Sequence, residues 1–185
     1  MEKRKINITF DLETLGRVNA PIVQLAAVAF TDDGKIEREF DYYVDLEDLS
    51  NYKFDFDYST LSWWMQQDYN AIKSVFSEES ERLSLKDVLT HFSIFMDRWS
   101  TDEFDISVWS HATFDPPILQ NAYNKVGLQT PIHYRWNRDI RTLCELSGVE
   151  KTEVKGVAHN ALDDCINQAE YIARGIQILN NLWKR

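Results

Sequence analysis

Two carboxylates two residues apart, Asp11 and Glu13, close an alternating run in which Asn7 and Thr9 separate Ile6, Ile8 and Phe10. That period of two marks a strand, and residues i and i+2 of a strand project from the same face. Two acids on one side of a strand end repel each other unless a cation lies between them. Oxygen ligands in this arrangement suit the hard ions Mg²⁺ and Mn²⁺. Taken alone, an Asp-x-Glu pair is a solvated strand end more often than a metal site. Other acids in the chain have to carry the argument further.

One of these is Asp115, in Phe114-Asp115-Pro116-Pro117. Proline fixes φ and lacks an amide donor, so a proline pair fits the first turn of a helix. Locally, Asp115 is expected to be the N-cap of that helix, and Phe114 to be either core or a surface on which a base could stack. Further on, His159-Asn160-Ala161-Leu162-Asp163-Asp164 opens a long amphipathic helix. Asn160 with Asp163 has the form of a capping box, which accounts for Asp163. Asp164 has no such account, because it sits beside the apolar stripe of Leu162, Ile166, Ala169 and Ile172, where an unpaired charge is costly. His159 precedes the cap and belongs to the loop, from which an imidazole could swing over a site that Asp164 enters. A histidine so placed suits a general base; alone, it is as easily an incidental loop residue.

The elements that must position these residues are legible in outline. Ile22 to Phe30 is almost continuously apolar, as in a strand covered on both faces. Asp33-Gly34 signals a hairpin into a third strand, where Phe40, Tyr42 and Val44 alternate with Glu39, Asp41 and Tyr43. An antiparallel three-strand meander is therefore expected from about Ile6 to Val44. Leu46 to Tyr58 is an acidic loop. A short helix from Ser59 carries Trp63 and Trp64, which are core or substrate-facing. Glu78 to Arg82 is a charged break, and Ser84 caps an amphipathic helix with His91 on its polar side. Asp105–Trp109 is a short strand, and Ile132–Trp136 an extended segment or further strand. A helix is expected to start at Asn137-Arg138-Asp139, and Lys151 to Gly156 to form a mobile polar loop.

With 185 residues, 44% of them hydrophobic, the chain is expected to form a single domain over residues 1–185. Its net charge of −10 argues against a protein that coats nucleic acid by neutralising phosphates, which needs a basic face. An enzyme that grips one strand end through metal ions is compatible with that charge. No apolar run is long enough to span a bilayer, and Met1-Glu2-Lys3-Arg4-Lys5 leads directly into a strand rather than a signal peptide. Cys144 and Cys165 form no close-spaced metal motif and fit buried thiols of a cytoplasmic protein.

Together these segments resemble the DEDD superfamily of 3′→5′ exonucleases, in its histidine subclass. Asp11-Leu12-Glu13-Thr14 matches the first motif, Phe114-Asp115 the second, and His159-x4-Asp164 the third, in the family's order. The wording of Ile22 to Phe30, Leu61-Ser62-Trp63-Trp64, Arg138 to Leu143 and His159 to Asp164 is similar to the phage and mycobacterial exoribonuclease-like branch. The proline pair after Asp115 departs from the usual pattern.

The resemblance implies an α/β, ribonuclease-H-like fold with a five-stranded mixed sheet flanked by helices. It also implies metal-dependent hydrolysis from the 3′ end of single-stranded nucleic acid, RNA before DNA, releasing nucleoside 5′-monophosphates. Two Mg²⁺ or Mn²⁺ ions per site would be held by Asp11, Glu13, Asp115 and Asp164, with Asp11 bridging both and His159 as general base. Substrate contacts would come from Leu12, Thr14 and Leu15, with Phe114 as a stacking candidate. A homodimer is a further implication. The alternatives are a 3′→5′ exodeoxyribonuclease and a catalytically silent module that binds nucleic-acid ends.

Overall fold

The computed structural model describes residues 3–77, 81–150 and 155–183. Three strands, β1 (Arg4–Thr14), β2 (Ile22–Phe30) and β3 (Ile36–Val44), form the expected antiparallel meander. Gly34 turns the β2–β3 hairpin at φ +87°, a conformation that glycine adopts without strain. Every residue of β2 is buried, and its alternate side chains enter two different cores. Leu25, Ala27 and Ala29 pack on one face, and Ala26, Val28 and Phe30 on the other.

The chain continues through helices α1 (Tyr58–Trp64) and α2 (Tyr69–Phe76), then strand β4 (Arg82–Leu83) and helix α3 (Leu85–Asp97). Strand β5 (Phe104–Ser110) leads into helix α4 (Asp115–Lys125), followed by β6 (Asn137–Asp139), α5 (Ile140–Ser147) and the long α6 (Ala161–Trp183). The strands form one mixed sheet in the order β4-β3-β2-β1-β5-β6. β1 lies inside it, antiparallel to β2 and parallel to β5. Phe92, Phe95 and Met96 of α3 and Ile118, Leu119 and Tyr123 of α4 cover one face, against Ile6, Ile8, Phe10 and Leu12. Ile140 and Leu143 of α5 and Cys165, Ala169 and Ile172 of α6 cover the other.

The sheet has six strands rather than five. The extra one, β4, is two residues long and pairs with Tyr43 and Val44 at the edge of the charged break, too short for any periodicity to announce it. Residues 78–80 of that break lie outside the described residues. At the other edge, Tyr134–Trp136 is a 3₁₀ turn, and the strand is Asn137–Asp139, where a helix start was expected. Asp139 serves both elements. It pairs with Ser110 at the end of β6, and its carboxylate accepts the Thr142 N–H at 2.7 Å as the N-cap of α5. An N-cap has extended φ and ψ, so the last strand residue can be the cap of the next helix.

Among the described residues, no helix is long and apolar enough to cross a membrane.

Candidate active site

Because Ile6, Ile8, Phe10 and Leu12 face the α3–α4 core, the alternate residues of β1 must face α6. Thr9 and Asp11 do so, both bonded to Gln168 of that helix. Asp11 and Glu13 thus share a face, as their spacing requires, and Asp164 enters the same space from the first turn of α6. A ligand atom from each of Glu13, His159 and Asp164 lies within 4.8 Å of the others. Asp115 approaches from the start of α4 and is almost wholly buried, 2% exposed.

Asp115 is not the cap of its helix. The N-cap position is Phe114, which makes no side-chain capping bond, and Asp115 Oδ2 instead accepts the backbone N–H of His111 at 2.9 Å. Pro116 and Pro117 explain the difference. They carry no N–H, so the first turn offers a capping carboxylate little to bond, and Asp115 is left to face the other acids.

Those acids act on one another strongly. Burial, then the charge of Asp164, pushes the Asp11 carboxyl up to about 7, against the lowering effect of the Gln168 hydrogen bond. Burial and Asp11 push Asp115 up to about 8. Glu13 is raised well above its usual range by burial, then by Asp11, Asp164 and Asp115. Among the described residues, no lysine or arginine forms an ion pair with Asp11, Glu13 or Asp115. A cluster of carboxylates, Glu13 and Asp115 buried and Asp11 half-buried, whose pKa values are raised and which the more distant charge of Arg141 offsets only in part, fits a divalent metal with oxygen ligands.

His159 sits in the loop ahead of α6 at φ +63°, a left-handed conformation uncommon outside glycine. Its ring meets that of Trp63 edge-on with centroids 4.7 Å apart. Asn160 caps the helix as expected, its Oδ1 accepting the N–H groups of Leu162 (3.1 Å) and Asp163 (3.2 Å). Asp163 does not close the box. Its Oδ2 accepts the Val157 N–H at 2.7 Å instead, which ties the loop to the helix. Asn167 does the same one turn later, accepting from Lys155 N (3.0 Å) and donating to Lys155 O (2.9 Å). The rest of the loop expected to be mobile, residues 151–154, lies outside the described residues.

Beside His159 opens a pocket of about 510 Å³, lined among others by Leu12, Glu13, Thr14, Arg17, Trp63 and Phe114. Phe114 therefore faces open space as well as core. The tryptophan pair divides between its two readings: Trp64 is 4% exposed and Trp63 41%. Trp64 donates its indole N–H to Thr14 O at 3.0 Å, which fixes the end of β1. The Leu15 side chain packs in the core, its N–H bonded to Pro21 O and its carbonyl to Asp57 N. Arg17, Ser59 and Gln168 were not anticipated. A polar residue such as Gln168, one turn after Asp164 on the buried side of an amphipathic helix, was the one legible signal.

Residues 6–176 match the family described as the 3′-5′ exoribonuclease Rv2179c-like domain. The chain belongs to this family. No curated protein sequence matches it. Among solved structures, cell-death related nuclease 4 superposes with a TM-score of 0.63 at 16% identity, over 95% of this chain and 66% of that one. E. coli exonuclease I in complex with a dT13 oligonucleotide gives 0.65 at 12% identity, over 98% and 43%. S. pombe Pop2p in a Mg²⁺- and Mn²⁺-bound form gives 0.53 at 12%, over 91% and 81%. This chain thus spans about two thirds of the nuclease 4 chain and less than half of exonuclease I. At these identities the likeness is one of fold, the ribonuclease-H-like fold of the DEDD exonucleases.

Proposed function

We propose that this protein is a divalent-metal-dependent 3′→5′ exonuclease of the histidine DEDD subclass, acting on single-stranded RNA and releasing nucleoside 5′-monophosphates. The observation that carries this reading is the convergence of Asp11, Glu13, Asp115 and Asp164 from three elements, with His159 on the rim of an adjoining pocket. Simple binding of a strand end does not require four carboxylates at that density, two of them buried.

Asp11, Glu13, Asp115 and Asp164 would hold two Mg²⁺ or Mn²⁺ ions; the Mg²⁺- and Mn²⁺-bound Pop2p structure supports this choice of metals. Such ions supply Lewis acidity to the attacking and leaving oxygens of the phosphodiester. His159 takes the proton of the attacking water on its imidazole. The terminal nucleotide occupies the pocket beside it, where Trp63 and Phe114 offer ring faces to a base and Leu12 and Thr14 form the wall at the end of β1. The Leu15 amide is already bonded to Pro21 O, so the nucleotide has to bond elsewhere.

DNA is the competing substrate, and the exonuclease I structures with single-stranded DNA oligonucleotides favour it. The family's description favours RNA. Digestion of matched 5′-labelled single-stranded RNA and DNA oligonucleotides with Mg²⁺, Mn²⁺ or EDTA tests both. The expected result is a metal-dependent ladder shrinking from the 3′ end, faster on RNA. A faster DNA ladder would replace RNA with DNA, and no shortening of either by folded, metal-bound protein would refute the exonuclease reading.

A further inference from the structure

Behind the carboxylates lies a short polar chain that the motifs do not name. Gln168 Nε2 donates to Asp11 Oδ1 at 3.0 Å, and Thr9 Oγ1 donates to Gln168 Oε1 at 2.6 Å. Gln168 is 5% exposed and Thr9 fully buried, so the bond between them forms away from water, while the bond to the half-buried Asp11 lies at the edge of the site. Polar groups buried this deeply are costly unless paired, and here each pairs with the next. Gln168 is the one side chain among the described residues that donates to Asp11.

The direction of the chain follows from its chemistry. A glutamine amide has one end that only accepts and one that only donates. Flipped, it would turn Oε1 toward the Asp11 carboxylate, with two acceptors facing each other. The Asp11 carboxylate thus sets the sense of the amide, and the Thr9 hydroxyl, able to donate or accept, donates to the Oε1 that remains. Among the described residues, Asp11 also has no second anchor of the kind Asp115 has in the His111 amide. Its carboxylate orientation therefore depends on one side chain from another element.

We infer that Gln168, held by Thr9, is a positioning residue that fixes the Asp11 carboxylate for metal binding. The inference rests on the proposed metal-dependent reading of the site. Asp11 stands on β1 and Gln168 on α6, so the bond also sets how closely the helix carrying Asp164 approaches the strand carrying Asp11 and Glu13. Outer partners of metal ligands characteristically cost about 10–100-fold in metal affinity or activity when removed.

The test is Gln168→Leu, which keeps the approximate volume and removes the donor, with Thr9→Val as a second variant that leaves Gln168 in place. Mn²⁺ affinity by calorimetric titration is measured alongside kcat and KM on a 5′-labelled single-stranded RNA. The expected result is Mn²⁺ affinity about 10-fold weaker or more for Gln168→Leu. Its kcat should fall with KM little changed, and Thr9→Val should shift both readouts the same way by less. If Gln168→Leu does not fold, Thr9→Val decides by the same readouts. Folded variants with wild-type Mn²⁺ affinity and kcat overturn the inference, whatever the wild type does to RNA. Weakened Mn²⁺ binding together with a wild type that shortens no nucleic acid would instead refute the exonuclease reading and leave Gln168 in its role.

Discussion

One turn and a half of α6 serves two purposes from two adjoining faces. Asp164 and Gln168, four residues apart, point toward the sheet and meet the carboxylates of β1. Asp163 and Asn167, offset by a single residue, point toward the preceding loop and hold it at Val157 and Lys155. The first face addresses groups in regular structure. Asp11 and Glu13 stand where β1 runs on past β5 but still pairs with β2, opposite Ala26 and Gln24, so their positions follow from sheet register. The second face addresses irregular backbone, and His159 has no ladder to place it. Its position depends on the Asp163 and Asn167 bonds, on the Asn160 cap and on the edge contact with Trp63. The acids are fixed by fold and the base by side-chain pins, so the two halves should fail in different ways.

The largest difference should appear on removing one residue from each half. Asp11→Asn is expected to abolish Mn²⁺ binding and turnover together, a loss of about 10³-fold or more, while circular dichroism shows an intact fold. Retained activity with a normal melting curve would take Asp11 out of the metal site. His159→Ala should lower kcat by about 10²–10⁴-fold, the usual worth of a general base, with Mn²⁺ affinity and KM close to wild type. A loss mainly in KM would make His159 a binding residue and erase the contrast between the halves.

Legibility from sequence follows the same division. The alternation of β1 and the apolar run of β2 gave the shared face of Asp11 and Glu13, because strand periodicity depends on nothing outside the strand. The cap at Asn160 was equally local. Asp115 was misread as a cap because capping needs donors that the two prolines remove, a fact local in sequence but visible only in a placed helix. β4 and β6 are too short to carry a period, and long-range pairing with β3 and β5 makes them strands. The roles of Asp163, Asn167 and Gln168 depend on what each helix face meets, which no spacing within α6 states. Trp63 and Trp64 show this most simply: adjacent and identical, both border the pocket, yet one is buried in the core and the other exposed.

A smaller perturbation should separate the halves without touching any reacting group. Gly156 lies in the pinned loop at φ +88°, and a Cβ there would stand 2.4 Å from Asp163 Cγ. Gly156→Ala must therefore strain the loop or displace Asp163 from Val157, which moves His159 and leaves β1 alone. A kcat lower by about 10-fold is expected, given how steeply rates fall with sub-ångström misplacement, at unchanged Mn²⁺ affinity. Loss of Mn²⁺ binding in this variant would mean that the loop, and not the sheet alone, holds the acids in place.

The smallest effect concerns stability, and it tests the acid half in the absence of metal. Folding raises Asp115 from 3.8 to about 8, and Asp11 from 3.8 to about 7. In the interval between those values the folded protein binds protons that the unfolded chain has released, so stability falls as pH rises. The contribution is intact below about pH 4, is lost progressively up to pH 7–8, and is flat above that. Asp57 and Asp139 are shifted the opposite way, so raw melting curves mix the two trends. Comparison with Asp115→Asn cancels them, since the variant keeps an acceptor for the His111 amide and loses only the titrating charge. In EDTA, the variant should gain on the wild type by about 5 °C between about pH 5 and pH 8.5. Saturating Mn²⁺ should shrink that gap, because a cation bound among the carboxylates stabilises their ionised form. A gap that stays constant with pH would mean that Asp115 ionises in the folded protein as it does in the unfolded chain, and the site would then carry no charge strain for a metal to relieve.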